Sequence, residues 1–140
     1  MSKSYQHFIN GQTVQGTSGR TSDIFNPSLG EVTGHVALAT TGELNNAVAA
    51  AKAALPEWSA MNPQRRARVL FNFKNLVEAH ADELAHILSE EHGKVLADSL
   101  GDIQRGLDVI EFACGVPHLL KGEYTPGAGP GIDVYSMRQP

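Results

Sequence analysis

The spacing of apolar positions changes twice along the chain, giving a strand-rich start, a helical middle and a strand-rich end. Phe8-Ile9-Asn10-Gly11-Gln12-Thr13-Val14 sets two short apolar stretches around an Asn-Gly pair. Asn-Gly readily takes the φ angles of a tight two-residue turn, so a β-hairpin is predicted. Ile24-Phe25-Asn26-Pro27 leads into a Ser28-Leu29-Gly30 turn, and Glu31 to Leu38 alternates as a further strand. Helical spacing then takes over. Thr41 is the predicted N-cap of a first helix with Leu44, Val48, Ala51 and Leu55 along one side, and Pro56 and Trp58 fall at its end. Asn62-Pro63 opens a second helix, a capping residue before a proline at the first helical position. Its apolar stripe is Val69, Leu70, Phe73, Leu76 and Val77. A third helix begins at Ala81-Asp82, carries Leu84, Ile87 and Leu88, and stops at Gly93.

The fourth helix, from about Asp98 to about Val116 ahead of Pro117, is apolar on two faces. Ile103, Leu107, Ile110 and Cys114 share one side; Val109, Phe112 and Val116 lie nearly opposite, with Arg105 one turn before Val109. A helix apolar on two faces calls for cover on both, and the other helices are expected to cover only one. Gly122 to Gly131 reads as a Gly/Pro-rich loop, and Ile132 to Arg138 as a final strand with no later partner. Such a strand is an exposed edge that invites pairing with another chain. The predicted fold class is α/β: a hairpin and strand, four helices and a terminal strand, interrupted before it closes. No internal repeat or low-complexity segment is evident.

Composition sharpens this only slightly. A hydrophobic fraction of 41% and a charged fraction of 19% are those of a globular chain. A net charge of -4 gives no electrostatic reason to expect nucleic acid or an anionic membrane as partner. Met1 to Phe8 is polar and is not expected to act as a secretory or organellar leader. No apolar run approaches the roughly 20 residues that span a bilayer. The lone Cys114 cannot form an internal disulfide, which fits a reducing cytoplasm.

Few residues suggest chemistry. Gly127-Ala128-Gly129-Pro130-Gly131 superficially matches a dinucleotide loop, yet no predicted strand precedes it, no helix follows, and Pro130 removes an amide donor. It is not assigned a cofactor. His80, His86 and His92 recur every six residues, a step that turns a helix by roughly 240° and aims the rings apart, so no metal site is predicted. Cys114 sits on an apolar stripe and reads as structural. Glu90-Glu91 and the Asp98/Asp102 pair read as solvated helix faces. Arg65, Arg66 and Arg68 fall in the first turns of their helix, where the macrodipole disfavours them. That points to salt bridges or an interface, with phosphate binding open. Arg105 allows two readings. One is a surface i, i+3 pair with Asp102, worth a few tenths of a kcal/mol. The other is a guanidinium facing a partly covered cavity, poised to bind a carboxylate through two hydrogen bonds.

Several stretches together resemble the aldehyde dehydrogenase superfamily. Phe8-Ile9-Asn10-Gly11 is similar to its N-terminal strand pair, and Asn26-Pro27-Ser28-Leu29-Gly30-Glu31-Val32 to its Asn-Pro-x-Thr-Gly-Glu turn. Ala47 to Trp58 and Arg65 to Leu70 resemble its next two helices, and Glu90-Glu91-His92-Gly93-Lys94 its Glu-x-Gly-Lys segment. Residues 93 to 116 and the closing Asp133 to Pro140 resemble the methylmalonate-semialdehyde dehydrogenase branch.

The resemblance implies the N-terminal part of an aldehyde dehydrogenase fold, ending in a bridging strand. Residues 1–124 would belong to the NAD-binding domain and 125–140 to the start of the oligomerisation strand, with the catalytic domain absent. It implies a full-length enzyme that oxidises a small semialdehyde with NAD and transfers the acyl group to coenzyme A. It also implies a homo-oligomer joined through the terminal strand. The family's nucleophilic cysteine, cofactor-contacting strands and oxyanion asparagine match nothing here, so catalytic, cofactor-binding and metal residues are expected to be none. Neither NAD nor coenzyme A is expected to bind this segment alone, which is expected to be inactive. One position carries over: Arg105, on the helix lining the substrate tunnel, is expected to bind the substrate carboxylate. Two rivals stand beside this reading, another branch such as a succinate-semialdehyde enzyme, and a non-enzymatic helical assembly module.

Overall fold

The computed structural model describes residues 3–139. In chain order the strands β1 (Lys3–Tyr5), β2 (His7–Ile9), β3 (Gln12–Val14), β4 (Thr21–Asn26) and β5 (Glu31–Ala37) come first. Helices α1 (Thr41–Ala60), α2 (Pro63–Ala79), α3 (Ala81–His92), α4 (Leu96–Cys114) and α5 (Val116–Leu119) follow, and then strands β6 (Tyr124–Gly129) and β7 (Ile132–Tyr135). The chain divides into two compact units. One holds the residues up to Met61 together with Ala81–Ile103; the other holds Asn62–His80 and the residues from Gln104 onward.

In the first unit, β2 and β3 form the predicted hairpin about Asn10-Gly11, with His7 opposite Val14. β4 and β5 pair antiparallel, with a bulge between Ile24 and Phe25. The Asn26 side chain caps their turn by accepting from the Ser28 amide at 2.9 Å, an Asx-turn that suits Asn before proline. β1 was not anticipated. It is three residues long and carries no alternation to read, and it pairs parallel with β5 in a sheet of order β1-β5-β4.

α1 starts one residue earlier in its logic than predicted: the N-cap is Thr40, not Thr41. The reason is Glu43, three positions after Thr40, which completes a reciprocal capping box. Glu43 N–H donates to Thr40 Oγ1 at 3.2 Å, and the Thr40 amide donates to Glu43 Oε2 at 2.7 Å. Nor does Pro56 end the helix, which continues through it to Ala60. Proline removes its own donor but leaves the later turns bonded, and the Met61 amide still reaches the Glu57 carbonyl at 3.1 Å. In the same unit, Ala85 of α3 and Ser99 of α4 are both 0% exposed. Ser89 Oγ and Ser99 Oγ are hydrogen-bonded at 2.8 Å.

In the second unit, Asn62 caps α2 by accepting from the Gln64 amide at 2.9 Å, as predicted. The predicted stripe of α2 splits in two: Leu70 and Val77 are half-buried, while Val69, Phe73 and Leu76 are exposed. α4 begins at Leu96 and ends at Cys114, so Val116 and Pro117 open the separate short helix α5. Pro117 has no N–H to extend the ladder of α4 but fits the first turn of a new helix.

The predicted loop over 122–131 is largely strand. β6 pairs antiparallel with β7, Tyr124 opposite Tyr135 and Gly129 opposite Ile132. The final strand therefore has a partner, on its N-terminal side, and it stops at Tyr135 rather than Arg138. Pro130-Gly131 forms the turn, with Gly131 at φ 70, the positive angle that a proline-glycine turn needs at its second position. Pro126 escapes the ladder because the register shifts between Thr125 and Gly129. No helix among the described residues is long and apolar enough to cross a membrane.

Candidate functional site

α4 is two-faced, as its sequence predicts, except that Val116, expected on its second face, falls in α5 and is half-buried. Within the second unit Leu107 and Cys114 are each 6% exposed, and Ile110 is half-buried. On the other side Arg105 is exposed, Val109 is 67% exposed and Phe112 69%. Steps of four and three residues bring these three within about 60° of one another around the helix and spread them over roughly 10 Å of its length. The result is a permanent cation at one end of an uncovered apolar strip. Such a strip can hold the hydrocarbon part of a small molecule while a guanidinium, charged at any ordinary pH, fixes its carboxylate.

Neighbouring polar contacts fix this part of α4. Gln104 Nε2 donates to Asp108 Oδ1 at 2.9 Å. Lys74 of α2 lies 3.5 Å from Glu111 of α4 and 3.4 Å from Glu78 of its own helix. Hydrogen bonding to Glu78, foremost, and then the charges of Glu78 and Glu111 raise the lysine pKa. In the first unit, Lys94 pairs with Asp102 near the start of α4. Asp102 is thus an ion-pair partner and not a merely solvated charge.

Two of the stretches that carry the family resemblance meet in the first unit. α3 stops at Gly93, whose φ is 74. A Cβ there would lie 3.0 Å from Pro27 Cγ and 3.3 Å from Ser28 Oγ. The Gly93-Lys94 stop is therefore seated on the Asn26-Pro27-Ser28 turn. Beside it runs a groove of about 690 Å³ lined by Tyr5, Phe25 and Val32 of the sheet and by Ile87 and Glu90 of α3. Lys3 and Glu90 at its rim are 3.8 Å apart.

The other candidates separate. Cys114 is buried on the covered side of α4. His80 caps α2, whereas His86 and His92 lie on α3. The glycines at 127, 129 and 131 belong to the β6–β7 hairpin, where the Gly127 amide donates to Asp133 Oδ1 at 2.8 Å. The Tyr124 hydroxyl and that amide hold the Asp133 carboxyl below its usual range. Sequence reasoning missed this cluster, as it missed Ser89–Ser99. It also missed Glu43, whose carboxylate accepts from the Thr17 amide at 2.8 Å besides capping α1. Only the Thr-x-x-Glu spacing of the last was there to be read.

A sequence model of the aldehyde dehydrogenase family matches residues 13–140. The chain is 46% identical over 134 residues to a malonate-semialdehyde dehydrogenase of Pseudomonas aeruginosa, covering 96% of this chain and 27% of that protein. It is 42% identical over 134 residues to the mitochondrial, acylating methylmalonate-semialdehyde dehydrogenase of Arabidopsis thaliana, covering 96% of this chain and 22% of that one. Among solved structures, one from Sinorhizobium meliloti 1021 bears the name methylmalonate-semialdehyde dehydrogenase and is complexed with NAD. It superposes with a TM-score of 0.92 at 58% identity, over 100% of this chain and 28% of that chain. A methylmalonate-semialdehyde dehydrogenase from Oceanimonas doudoroffii gives a TM-score of 0.90 at 46% identity, again over 100% and 28%. The chain thus spans between about a fifth and three tenths of the length of these relatives.

Proposed function

The chain belongs to the aldehyde dehydrogenase family, and we propose that it serves as the N-terminal part of an NAD-dependent enzyme that oxidises malonate or methylmalonate semialdehyde and transfers the acyl group to coenzyme A. Its α/β arrangement is that of the N-terminal portion of the family's fold. The observation that carries the substrate reading is the outward face of α4, where exposed Arg105 leads the uncovered Val109 and Phe112. Arg105 binds the carboxylate that distinguishes these semialdehydes from neutral aldehydes, and the apolar residues exclude water beside it. The relatives' names support the substrate class.

The residues of this segment do not fit NAD. Its glycine-rich stretch makes a hairpin turn, not the strand-to-helix turn that cradles a pyrophosphate. Its one thiol is 6% exposed and has no open approach for an aldehyde. Cofactor and nucleophile therefore belong to other parts of a longer chain, and the 140-residue chain alone has no dehydrogenase activity. Residues 1–124 act within the cofactor-binding domain, and 125–140 begin a bridging strand. The β6–β7 hairpin, with Ile132, Val134 and Tyr135 all exposed, joins a second subunit of a cytoplasmic homo-oligomer.

Arg105→Leu in the full-length enzyme tests the central claim. It is expected to lower kcat/KM for the carboxylated semialdehyde by about 100-fold, the scale of one lost charge-assisted contact, and to leave a neutral aldehyde nearly unaffected. Equal losses on both would remove Arg105 from carboxylate recognition.

A further inference from the structure

α2 opens with three arginines in four positions, Arg65, Arg66 and Arg68, and its first turn contains no acidic residue. Cations there oppose the helix macrodipole, so they call for negative charge from elsewhere. The other well-placed cations of the chain find it: Lys3, Lys74 and Lys94 each pair with a carboxylate. Among the described residues these three arginines make no ion pair. Arg66 is the sharpest case. Its side chain is half-buried, and its Nε is cut off from solvent without an acceptor. A desolvated guanidinium N–H left unbonded costs more than a lost neutral hydrogen bond.

The surface next to the arginines is apolar. Arg65, Val69, Phe73 and Leu76 follow one another at helical spacing. Val69 is 49% exposed, Phe73 50% and Leu76 60%. Guanidinium groups beside uncovered aliphatic and aromatic side chains are the composition of a buried interface. A free anion would use the arginines and leave the apolar strip unexplained. The same fold is embedded, in the Sinorhizobium meliloti structure, in a chain of which it makes up 28%.

We propose that this face of α2 docks against a carboxylate-bearing surface supplied by the remainder of the longer polypeptide, with Arg66 bonded to a carboxylate at the centre and the apolar strip closing over its flank. This docking rests on the reading of the chain as part of a longer enzyme, and not on the carboxylate site of α4, because its readouts are labelling and melting, not turnover.

Phenylglyoxal adds to accessible guanidinium groups, and mass spectrometry reads each arginine separately. In the full-length protein Arg65, Arg66 and Arg68 are expected to react roughly tenfold more slowly than in the 140-residue chain, since docking leaves only transient openings. Arg20, which in the first unit donates to the Ala39 carbonyl at 3.0 Å, serves as the internal standard. Equal rates in the two proteins would overturn the proposal. Arg66→Gln is expected to lower the melting midpoint of the full-length protein by about 5 °C or more, and Arg66→Glu by more still, because it sets two carboxylates against each other. Equal falls for Gln and Glu would rule out a carboxylate partner. A matching fall in the 140-residue chain would assign Arg66 an internal role and sink the docking claim.

Discussion

Within the first unit α1 and the α3–α4 junction make opposite use of a helix. α1 is 20 residues long and has no buried residue; Leu44 is 58% exposed and Leu55 51%. At the α3–α4 junction Ala85 and Ser99 are both 0% exposed. α1 rests on local signals: the Thr40 capping box and a run of alanines, the residue with the best helix propensity. The junction instead ties α3 to α4 by the hydrogen bond between Ser89 and a fully buried Ser99, a site with no spare volume for a larger side chain. Local signals thus suffice to define a helix whose apolar stripe is left uncovered, whereas a buried side-chain bond needs both of its helices in place.

The sharpest way to break that contrast is Ser99→Leu. The larger side chain has no space at a fully buried site and also removes the bond to Ser89. Overpacking and a lost buried hydrogen bond together are expected to cost about 3 kcal/mol or more, read from the denaturant midpoint of the chain. A loss within about 0.5 kcal/mol, the usual range at exposed surface sites, would show that the junction is no tighter than α1.

Gly93→Val is expected to cost about 2 kcal/mol. Gly93 holds a φ of 74 that a β-branched residue avoids, and its missing side chain makes room for Pro27 and Ser28. Gly93→Ala should lose less than valine, as the added volume is smaller. Equal losses would mean that backbone strain alone, and not seating on the Asn26-Pro27 turn, sets the effect.

How much of this was legible beforehand follows the range of the interactions. The Asn10-Gly11 hairpin, the Asn62-Pro63 start and the Gly93 stop depend on residues one to four apart, and each was readable. So was the two-faced character of α4, because a buried Leu107 and an exposed Val109 lie two residues, roughly half a helical turn, apart. β1 was not readable, since three residues become a strand only when β5, some thirty positions on, lies alongside. The β6–β7 pairing was hidden by its own glycines and prolines, which suggest a loop until the register shift and the Pro130-Gly131 turn accommodate them. Arg105 could be placed beside Val109 and Phe112 from spacing alone, but spacing does not say what covers it.

Thr40→Ala tests the local half of the contrast and is expected to cost about 1 kcal/mol. Acid gives an independent check. The Glu43 carboxyl is lowered from 4.5 to about 2, first by the Thr40 backbone amide, then by the Thr17 amide and the Thr40 hydroxyl. Its folded-state value lies below the unfolded one, so its stabilisation is complete above 4.5 and is lost as the pH falls through about 2. Wild type should therefore exceed Glu43→Gln in helicity at neutral pH and converge with it across that window. A constant gap down to pH 2 would mean that Glu43 caps α1 by shape and not by charge.

The smallest effect belongs to the uncovered stripe of α1. Leu55→Gln removes an apolar side chain that is 51% exposed and touches no closed packing, so the melting midpoint of the chain should move by less than about 0.5 kcal/mol equivalent. The same substitution in the full-length protein decides what the stripe is for. A clear fall there, with none in the 140-residue chain, would show that Leu55 is covered only when the rest of the polypeptide is present. No fall in either would make α1 a helix that local capping and alanine propensity sustain at the surface, and its apolar stripe a residue pattern with no packing role.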